Sequence, residues 1–160
     1  MTKKFYLTKK GFERIKKEYK VLKKLLKAKI KGDDVPFVFE SDDVNVEFLA
    51  FQDNIEFLET RLAELETILN NAEVISFIPK EKRNIVQIGA IVTLEEQDGR
   101  INEFMLVESL EADVDEGKIS VDSPFGKELL GKKIGETVQI TTPGSFKIFN
   151  KIKKIRYNLS

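Results

Sequence analysis

The chain has 160 residues, of which 41% are hydrophobic, so it can bury one ordinary core or two small ones. It contains neither cysteine nor histidine, which excludes disulfides, thiolate metal sites and imidazole-based catalysis. The net charge is zero, but residues 1–31 carry 13 basic and two acidic side chains, whereas residues 32–73 carry one and 12. The two halves of the N-terminal region therefore have opposite charge.

The first predicted element is an amphipathic helix from Thr8 to about Lys31. Thr8 occupies an N-cap position, whereas Gly32 and Pro36 end the helix. Its apolar residues recur at alternating spacings of three and four, with lysines between them: Phe12, Ile15, Tyr19, Leu22 and Leu26. This spacing predicts a heptad seam, which needs a partner helix.

A second helix repeats the seam, with Asp43 or Asn45 as its cap. Its apolar positions are Phe48, Phe51, Ile55, Leu58, Leu62, Leu65 and Leu69. Two such helices bury their seams by folding back on each other, and their opposite charges attract. We therefore predict an antiparallel coiled-coil hairpin over residues 1–75, with an acidic tip near residues 33–47.

Short alternating runs after residue 76 predict the strands of an antiparallel sheet. They are separated by the turn signals Asp98-Gly99, Glu116-Gly117 and Pro143-Gly144. The segment "SPFGKELLGKKIGE" begins with a cap and first-turn pair, Ser123 and Pro124, and predicts one short helix. The fold class is therefore α+β, with a helical hairpin followed by a small sheet domain over residues 77–160.

The tip segment "FVFESDDVNVEF" carries clustered carboxylates, among them Glu40, Asp42 and Asp43. Such an acidic pair holds Mg²⁺ weakly by itself and becomes useful when another protein completes the coordination shell. In the alternative interpretation, Asp42 and Asp43 only cap the second helix and keep the tip soluble. The apolar residues 37–39 favour a tip that folds back or inserts into a partner.

The lysine-rich first helix has two interpretations as well. Clustered cationic side chains bind nucleic acid phosphates by displacing counterions. They are also typical of a hairpin whose acidic second helix needs a basic partner. The N-terminus lacks the apolar stretch of a signal peptide and no apolar run is long enough to span a bilayer, so we expect a cytoplasmic protein without a membrane partner.

Several segments resemble, in the same order, the bacterial Gre transcript cleavage factors. They are "LTKKGFERIKKEY" in the first helix, "NVEFLAFQDNIEFLETRLAELETIL" in the second, "NAEVI" between the domains and "SPFGKELLGKKIGE" in the second domain. The resemblance covers nearly the whole chain, and the ordered set is more specific than any one segment.

The resemblance implies a monomeric transcription elongation factor, not itself an enzyme, that binds bacterial RNA polymerase. The hairpin would enter the secondary channel and its tip acids would share Mg²⁺ with the polymerase, which cleaves the 3′ end of a backtracked nascent RNA. The basic helix would guide that RNA, and DNA binding is expected with it. The second domain, FKBP-like in the family, would dock on the polymerase through Ser123, Pro124, Leu129 and Gly131.

The tip departs from the family pattern, because Ser41 and Val44 occupy the positions of the family's Asp and Glu. The candidate catalytic residues are therefore Asp42 and Asp43, which are also the candidate Mg²⁺ ligands, with Glu40 in reserve. One alternative is a Gre-like regulator that occupies the channel without stimulating cleavage. Another, from fold alone, is an FKBP-like prolyl isomerase or chaperone.

Overall fold

The computed structural model describes residues 2–32 and 46–159, with the backbone alone for residues 46–51. The chain divides into two compact units. The helical unit holds Phe12–Ala72 with the extreme N-terminus, and the sheet unit holds Lys4–Gly11 and Glu73–Ser160. The sequence-based boundaries, 1–75 and 77–160, stay a prediction about where the functional domains divide.

The helical unit contains α2 (Val46–Asn71) and, from Phe12 onward, α1 (Lys9–Ile30). The predicted seam is confirmed where side chains are described: Ile15, Leu58 and Leu65 are buried, and the other seam residues are half-buried. Most exposed positions of both helices are charged or polar, as expected for an amphipathic pair. Within the described residues, no helix is both long and apolar enough to cross a membrane.

Both predicted boundaries of α1 are confirmed, one by a hydrogen bond and the other by a backbone angle. The Thr8 hydroxyl accepts from the Gly11 N–H at 3.0 Å, which is the N-cap arrangement. At the other end, Gly32 adopts a φ of 99°, a conformation that favours glycine and ends the helix. The predicted caps of α2, Asp43 and Asn45, lie outside the described residues.

The sheet unit contains a short two-stranded pairing of β1 (Phe5–Leu7) with β2 (Ala72–Val74). Its main sheet has the strand order β5-β4-β3-β7-β6 within the described residues. The strands are β3 (Ala90–Glu96), β4 (Ile101–Val107), β5 (Lys118–Ser120), β6 (Thr137–Thr141) and β7 (Lys147–Tyr157). One short helix, α3 (Pro124–Leu129), lies between β5 and β6, as predicted. The predicted α+β class is confirmed.

The sheet is antiparallel as predicted except at one pair, because β5 runs parallel to β4. After β4 the chain makes a short 3₁₀ turn at Ser109–Glu111. It then reverses between Asp113 and Lys118, whose backbones exchange hydrogen bonds of 3.0 and 2.8 Å. The predicted turn at Glu116-Gly117 therefore exists, but it joins β5 to a loop instead of to β4.

The core of the sheet unit lies on one face of the sheet, under α3. Its buried members are Val86, Ala90, Val92, Leu94, Leu106, Leu129, Val138, Ile152 and Ile155. Phe104 and Phe125 meet edge to face at its margin, with ring centroids 5.6 Å apart. Tyr157 closes the margin near residue 86, where its hydroxyl donates to the Ile85 carbonyl at 2.6 Å and accepts from the Gln87 N–H at 3.1 Å.

Candidate functional site

The predicted acidic site lies outside the described residues, since Glu40, Asp42 and Asp43 all fall in the range 33–45. Their roles as catalytic residues and as Mg²⁺ ligands stay predictions. Elsewhere in the described ranges, no group of three or more acidic side chains is placed to hold a metal ion.

The two helices of the helical unit carry opposite charges, since α1 is basic and α2 is acidic. The helices are joined by an ion pair in which Arg61 Nε of α2 donates to Glu18 Oε1 of α1 at 2.9 Å. This bond to Glu18 raises the pKa of the Arg61 guanidinium above its ordinary value. Arg61 also contacts Glu64 at 3.3 Å, so one arginine holds carboxylates of both helices.

The solvent side of α1 is a basic surface. Lysines and one valine line a shallow groove of about 410 Å³: Lys20, Val21, Lys23, Lys24 and Lys27. Lys23 also lies 5.4 Å from the centre of the Tyr19 ring, which is within reach of a cation–π contact. Adjacent cations on one helix face suit a phosphate backbone, as the sequence predicted for one of its two interpretations.

Within the sheet unit, a buried carboxylate holds the residues at which α1 begins. Glu111, 4% exposed, accepts from the Thr8 backbone N–H at 2.9 Å and from the Thr8 hydroxyl at 2.5 Å. Gly11 makes this approach feasible, because a Cβ at that position would lie 2.0 Å from Glu111 Oε1. The Thr and Gly of the "LTKKG" motif thus serve one contact, whereas the sequence predicted only a capping role for Thr8.

The predicted docking residues at the start of α3 lie together. The Ser123 hydroxyl accepts from the Gly126 N–H at 3.0 Å and donates to the Ser120 carbonyl at 2.7 Å. Pro124 is exposed in the first turn, where its missing N–H leaves nothing unpaired. Gly126 is required underneath, since a Cβ there would lie 1.9 Å from the Ser120 carbonyl oxygen. The loop before α3 is therefore rigidly shaped and presents Pro124 to solvent.

The other two predicted docking residues lie at the far end of α3. Leu129 is 1% exposed, so any role in binding would act by holding α3 on the core. Gly131 is exposed with a φ of 81°, and its N–H donates to the Val86 carbonyl at 2.8 Å. Between them, Leu130 remains 48% exposed. Leu129 and Gly131 thus fix the shape of this end of α3, whereas the exposed Leu130 offers an apolar contact.

Sequence reasoning missed the polar residues beside Ser123. Ser109 bonds Asp122 at 2.6 Å and Ser120 at 2.7 Å, which ties the 3₁₀ turn after β4 to the loop before α3. Asp122 is exposed and adds a carboxylate next to Pro124. The local signal for Asp122 was its position in "DSP", whereas Ser109 is remote in sequence and only the fold brings it close.

These surfaces define a class of protein in which a charge-sorted helical pair accompanies a small α+β sheet unit with a shaped polar loop. A family model described as the C-terminal domain of transcription elongation factors GreA/GreB matches residues 80–157. The transcription elongation factor GreA of Rickettsia felis is 36% identical over 152 residues, covering 93% of each chain. That of Syntrophus aciditrophicus is 39% identical over 145 residues, covering 89% of each.

Among solved structures, the GreA factor homolog 1 of Thermus thermophilus is 28% identical, with 96% of this chain and 99% of that chain covered and a TM-score of 0.43. At full-length identities above one third, the sequence relationship alone defines membership. The chain belongs to the GreA/GreB family of transcription elongation factors.

Proposed function

We propose that the protein binds bacterial RNA polymerase, places its helical hairpin in the secondary channel and stimulates Mg²⁺-dependent cleavage of backtracked transcripts. One observation carries the proposal, namely the 36% identity to a transcription elongation factor GreA over 93% of both chains. In this proposal the polymerase performs the chemistry. The protein, acting as a monomer, supplies side chains and position and is not itself an enzyme.

The charge sorting of the helical unit supports a role beside a transcript. The exposed lysines of α1 present cations along one helix face, which suits the phosphates of an extruded RNA 3′ end. The acidic α2 pairs with α1 through Arg61 and Glu18, so the lysines on the far side of α1 stay available to a nucleic acid. The hairpin would then steer the RNA while its tip reaches the reacting phosphate.

The loop before α3 supports a docking role for the sheet unit. Asp122 and Pro124 are exposed on a backbone held by Ser123 and Gly126, and Leu130 adds an apolar side chain at the other end of the helix. A rigid polar and apolar surface of this kind loses little conformational entropy when a partner binds.

The donor chemistry of the tip fits the proposed metal. Asp42 and Asp43 offer carboxylate oxygens, which are the ligands that Mg²⁺ prefers, and Mg²⁺ binding to one or two protein carboxylates is normal where a partner completes the shell. When bound, such an ion stabilises attacking and leaving oxygens and makes a bound water more acidic. Asp42 and Asp43 would hold it, with Glu40 in reserve.

The decisive experiment incubates backtracked elongation complexes with the protein and Mg²⁺ and measures shortening of the RNA. We expect cleavage with the unaltered protein and its loss in the Asp42→Asn, Asp43→Asn double variant, because the amide keeps the size but not the charge. The matched control is Asp33→Asn with Asp34→Asn, a second acidic pair of the same linking segment, which should cleave normally.

Each other outcome has a defined meaning. Full cleavage by the Asp42→Asn, Asp43→Asn variant would remove this pair from the metal role and direct attention to Glu40→Gln. An unaltered protein that binds polymerase but cleaves nothing would overturn the catalytic part and leave a channel-occupying regulator. Activity on a prolyl peptide without any polymerase binding would overturn the proposal as a whole.

Docking is tested separately by competition for polymerase binding. Pro124→Ala combined with Leu130→Ala should weaken binding, since both side chains are exposed at the proposed surface. Val114→Ala is the matched control, because Val114 is 87% exposed elsewhere in the same unit. If the tip variants lose binding while the Pro124 and Leu130 variant keeps it, the two surfaces have been assigned the wrong way round.

A further inference from the structure

The hairpin of β6 and β7 extends beyond the rest of the sheet. β6 pairs with β7 from Lys147 to Lys151, whereas β3 pairs with β7 only from Asn150 to Tyr157. In the described part of the chain, residues 147–149 therefore have a strand on one side only. We call residues 137–151 the β6–β7 ribbon.

The turn at the end of the β6–β7 ribbon holds an exposed aromatic ring. The Thr142 N–H donates to the Phe146 carbonyl at 2.9 Å, and the Ser145 N–H donates to the Thr142 carbonyl at 2.9 Å. The Phe146 ring leans on Gly144, where a Cβ would lie 3.1 Å from a ring carbon. Even so, Phe146 is 74% exposed, so its ring is positioned by the turn but left open to solvent.

One face of the ribbon alternates cations with a second aromatic ring. Because side chains two apart along a strand share a face, Lys147, Phe149 and Lys151 lie on the same side, with each lysine roughly 7 Å along the strand from Phe149. Phe149 is 36% exposed. Directly across the ribbon stand three exposed polar residues: Thr141, Gln139 and Thr137.

The electrostatic character of this face is positive. The ribbon carries two basic residues, Lys147 and Lys151, and no acidic one. A shallow cavity of about 390 Å³ beside Phe149 is also lined by Glu95 and Glu96. Both carboxylates already have cationic partners, since Glu95 pairs with Lys153 at 2.8 Å and Glu96 with Arg100 at 3.1 Å. Lys151 lies opposite Glu95 on β3, and the two lysines beside Phe149 give the ribbon itself its positive charge.

We propose that the β6–β7 ribbon binds single-stranded RNA. A base stacks on Phe149, while Lys147 and Lys151 hold the phosphates on either side of it. An exposed aromatic flanked by cations is the arrangement by which proteins bind unpaired strands, because every base has a stacking face and every nucleotide a phosphate. Phe146 at the turn offers a stacking surface for a further base.

The polar side of the ribbon favours RNA over DNA. Thr137, Gln139 and Thr141 present hydroxyl and amide groups next to the stacking ring, and such groups can bond the 2′-hydroxyl that distinguishes RNA. This site lies in the sheet unit and is separate from the lysines of α1. It goes beyond the proposed function, because it requires neither polymerase nor cleavage.

The test titrates a labelled mixed-sequence RNA of about 12 nucleotides, within the usual site sizes, with the full-length protein and no polymerase. Phe149→Leu keeps an apolar side chain but removes the ring, so binding should weaken about fivefold or more with an unchanged salt dependence. Phe149→Tyr should bind normally. The matched control is Phe77→Leu, since Phe77 is 70% exposed elsewhere in the unit.

The contribution of Lys147 and Lys151 is measured separately, through the salt dependence of RNA binding. For single strands the slope of log affinity against log salt changes by about 0.7 for each phosphate contact, so Lys147→Ala with Lys151→Ala should flatten the slope by about 1.4. Lys80→Ala with Lys82→Ala, an exposed pair elsewhere, should leave the affinity and slope close to normal. Thermal denaturation of each variant checks that it remains folded.

Photocrosslinking gives a result that does not depend on variants. RNA that carries 5-bromouridine should crosslink to the unaltered protein at Phe149 or Phe146, as mapped by mass spectrometry. Crosslinks confined to α1, or normal RNA binding by folded Phe149→Leu, would overturn the proposal. Equal binding of DNA of the same sequence would overturn the choice of RNA. Loss of polymerase binding in Phe149→Leu with RNA binding intact would instead make the ribbon a protein surface.

Discussion

The helical unit and the sheet unit are each stabilised by a different kind of internal contact. Contacts along one helix seam stabilise the first, and contacts between residues far apart in sequence stabilise the second. In the described part of the helical unit, few apolar side chains are buried: Ile15, Leu58, Leu65 and Ile68. The sheet unit has a continuous core and polar bonds between remote residues, such as Thr8 with Glu111 and Tyr157 with Ile85. A single seam leaves most of each helix surface free for charge, whereas the sheet unit fixes loops in precise positions.

This difference explains where each kind of proposed surface lies. The basic groove of α1 needs only a helix, because adjacent turns place lysines side by side. The loop before α3 needs the fold, because the Ser109 side chain, which follows β4, bonds to Ser120 and Asp122 on the segment before α3. Contacts with a phosphate backbone tolerate a flexible surface, but docking on a protein surface requires a shaped one.

The largest effects are expected from a matched pair of core changes, Leu65→Ala and Leu94→Ala. Both side chains are 0% exposed, so each change should lower the free energy of unfolding by about 2–5 kcal/mol. Hydrogen exchange should show the loss mainly in the helical unit for Leu65 and in the sheet unit for Leu94. Leu62→Ala, at a half-buried seam position, should cost less than Leu65→Ala.

A Leu65→Ala change that left the free energy of unfolding nearly unaltered would show that the heptad seam does not hold the two helices together. If either substitution lowered hydrogen-exchange protection equally in both units, the two units would not be stabilised by separate contacts.

A somewhat smaller effect is expected at the contact between Gly11 and Glu111 within the sheet unit. Gly11→Ala would place a Cβ 2.0 Å from Glu111 Oε1, so it should destabilise the protein by about 1–3 kcal/mol. The control is the same change in a Glu111→Ala background, where the obstructing carboxylate is absent. Chemical denaturation of the four proteins gives the coupling energy, and additive costs would refute the contact.

Tyr157→Phe tests the closing hydrogen bonds of the sheet unit. Loss of the hydroxyl removes the bonds to the Ile85 carbonyl and from the Gln87 N–H. The free energy of unfolding should therefore fall by about 1–3 kcal/mol. Tyr6→Phe is the matched control, since Tyr6 is 42% exposed. A cost for Tyr157→Phe no larger than for Tyr6→Phe would show that these two bonds contribute little.

The same tyrosine predicts a pH dependence. Burial raises the pKa of the Tyr157 phenol above its ordinary value, although the bond from Gln87 opposes the rise. The native state therefore keeps the proton where the unfolded state has lost it. The stabilisation is complete below about pH 10, the ordinary tyrosine pKa, and declines as the pH rises through the folded value. The difference between the unaltered protein and Tyr157→Phe should shrink over that range.

The smallest effect is expected at the ion pair between the helices. Arg61 and Glu18 are each more than one third exposed, so Arg61→Met or Glu18→Gln should cost no more than about 1 kcal/mol, and added salt should reduce the cost. A double-mutant cycle measured by thermal denaturation gives the pair energy. A coupling well above that value would mean that charge, and not the seam, dominates the helical unit.

The amino-acid sequence by itself determined the two long helices, their seam, the Thr8 and Ser123 caps and the short α3. Each of these depends on spacings within a few residues, because a helix satisfies its own hydrogen bonds and its faces follow from a fixed period. The strands could be located for a similar reason, since alternation and turn residues are local signals.

Only the tertiary structure decided the parallel pairing of β5, the place of Lys4–Gly11 in the sheet unit and the burial of Leu129. It also decided that residues 147–149 extend beyond the sheet as part of the β6–β7 ribbon. Strand partners are chosen by hydrogen bonds and core contacts between residues far apart in sequence, and a local pattern carries no record of which remote segment satisfies them. The Glu111 carboxylate, 103 positions from the Thr8 it binds, shows how far that range extends.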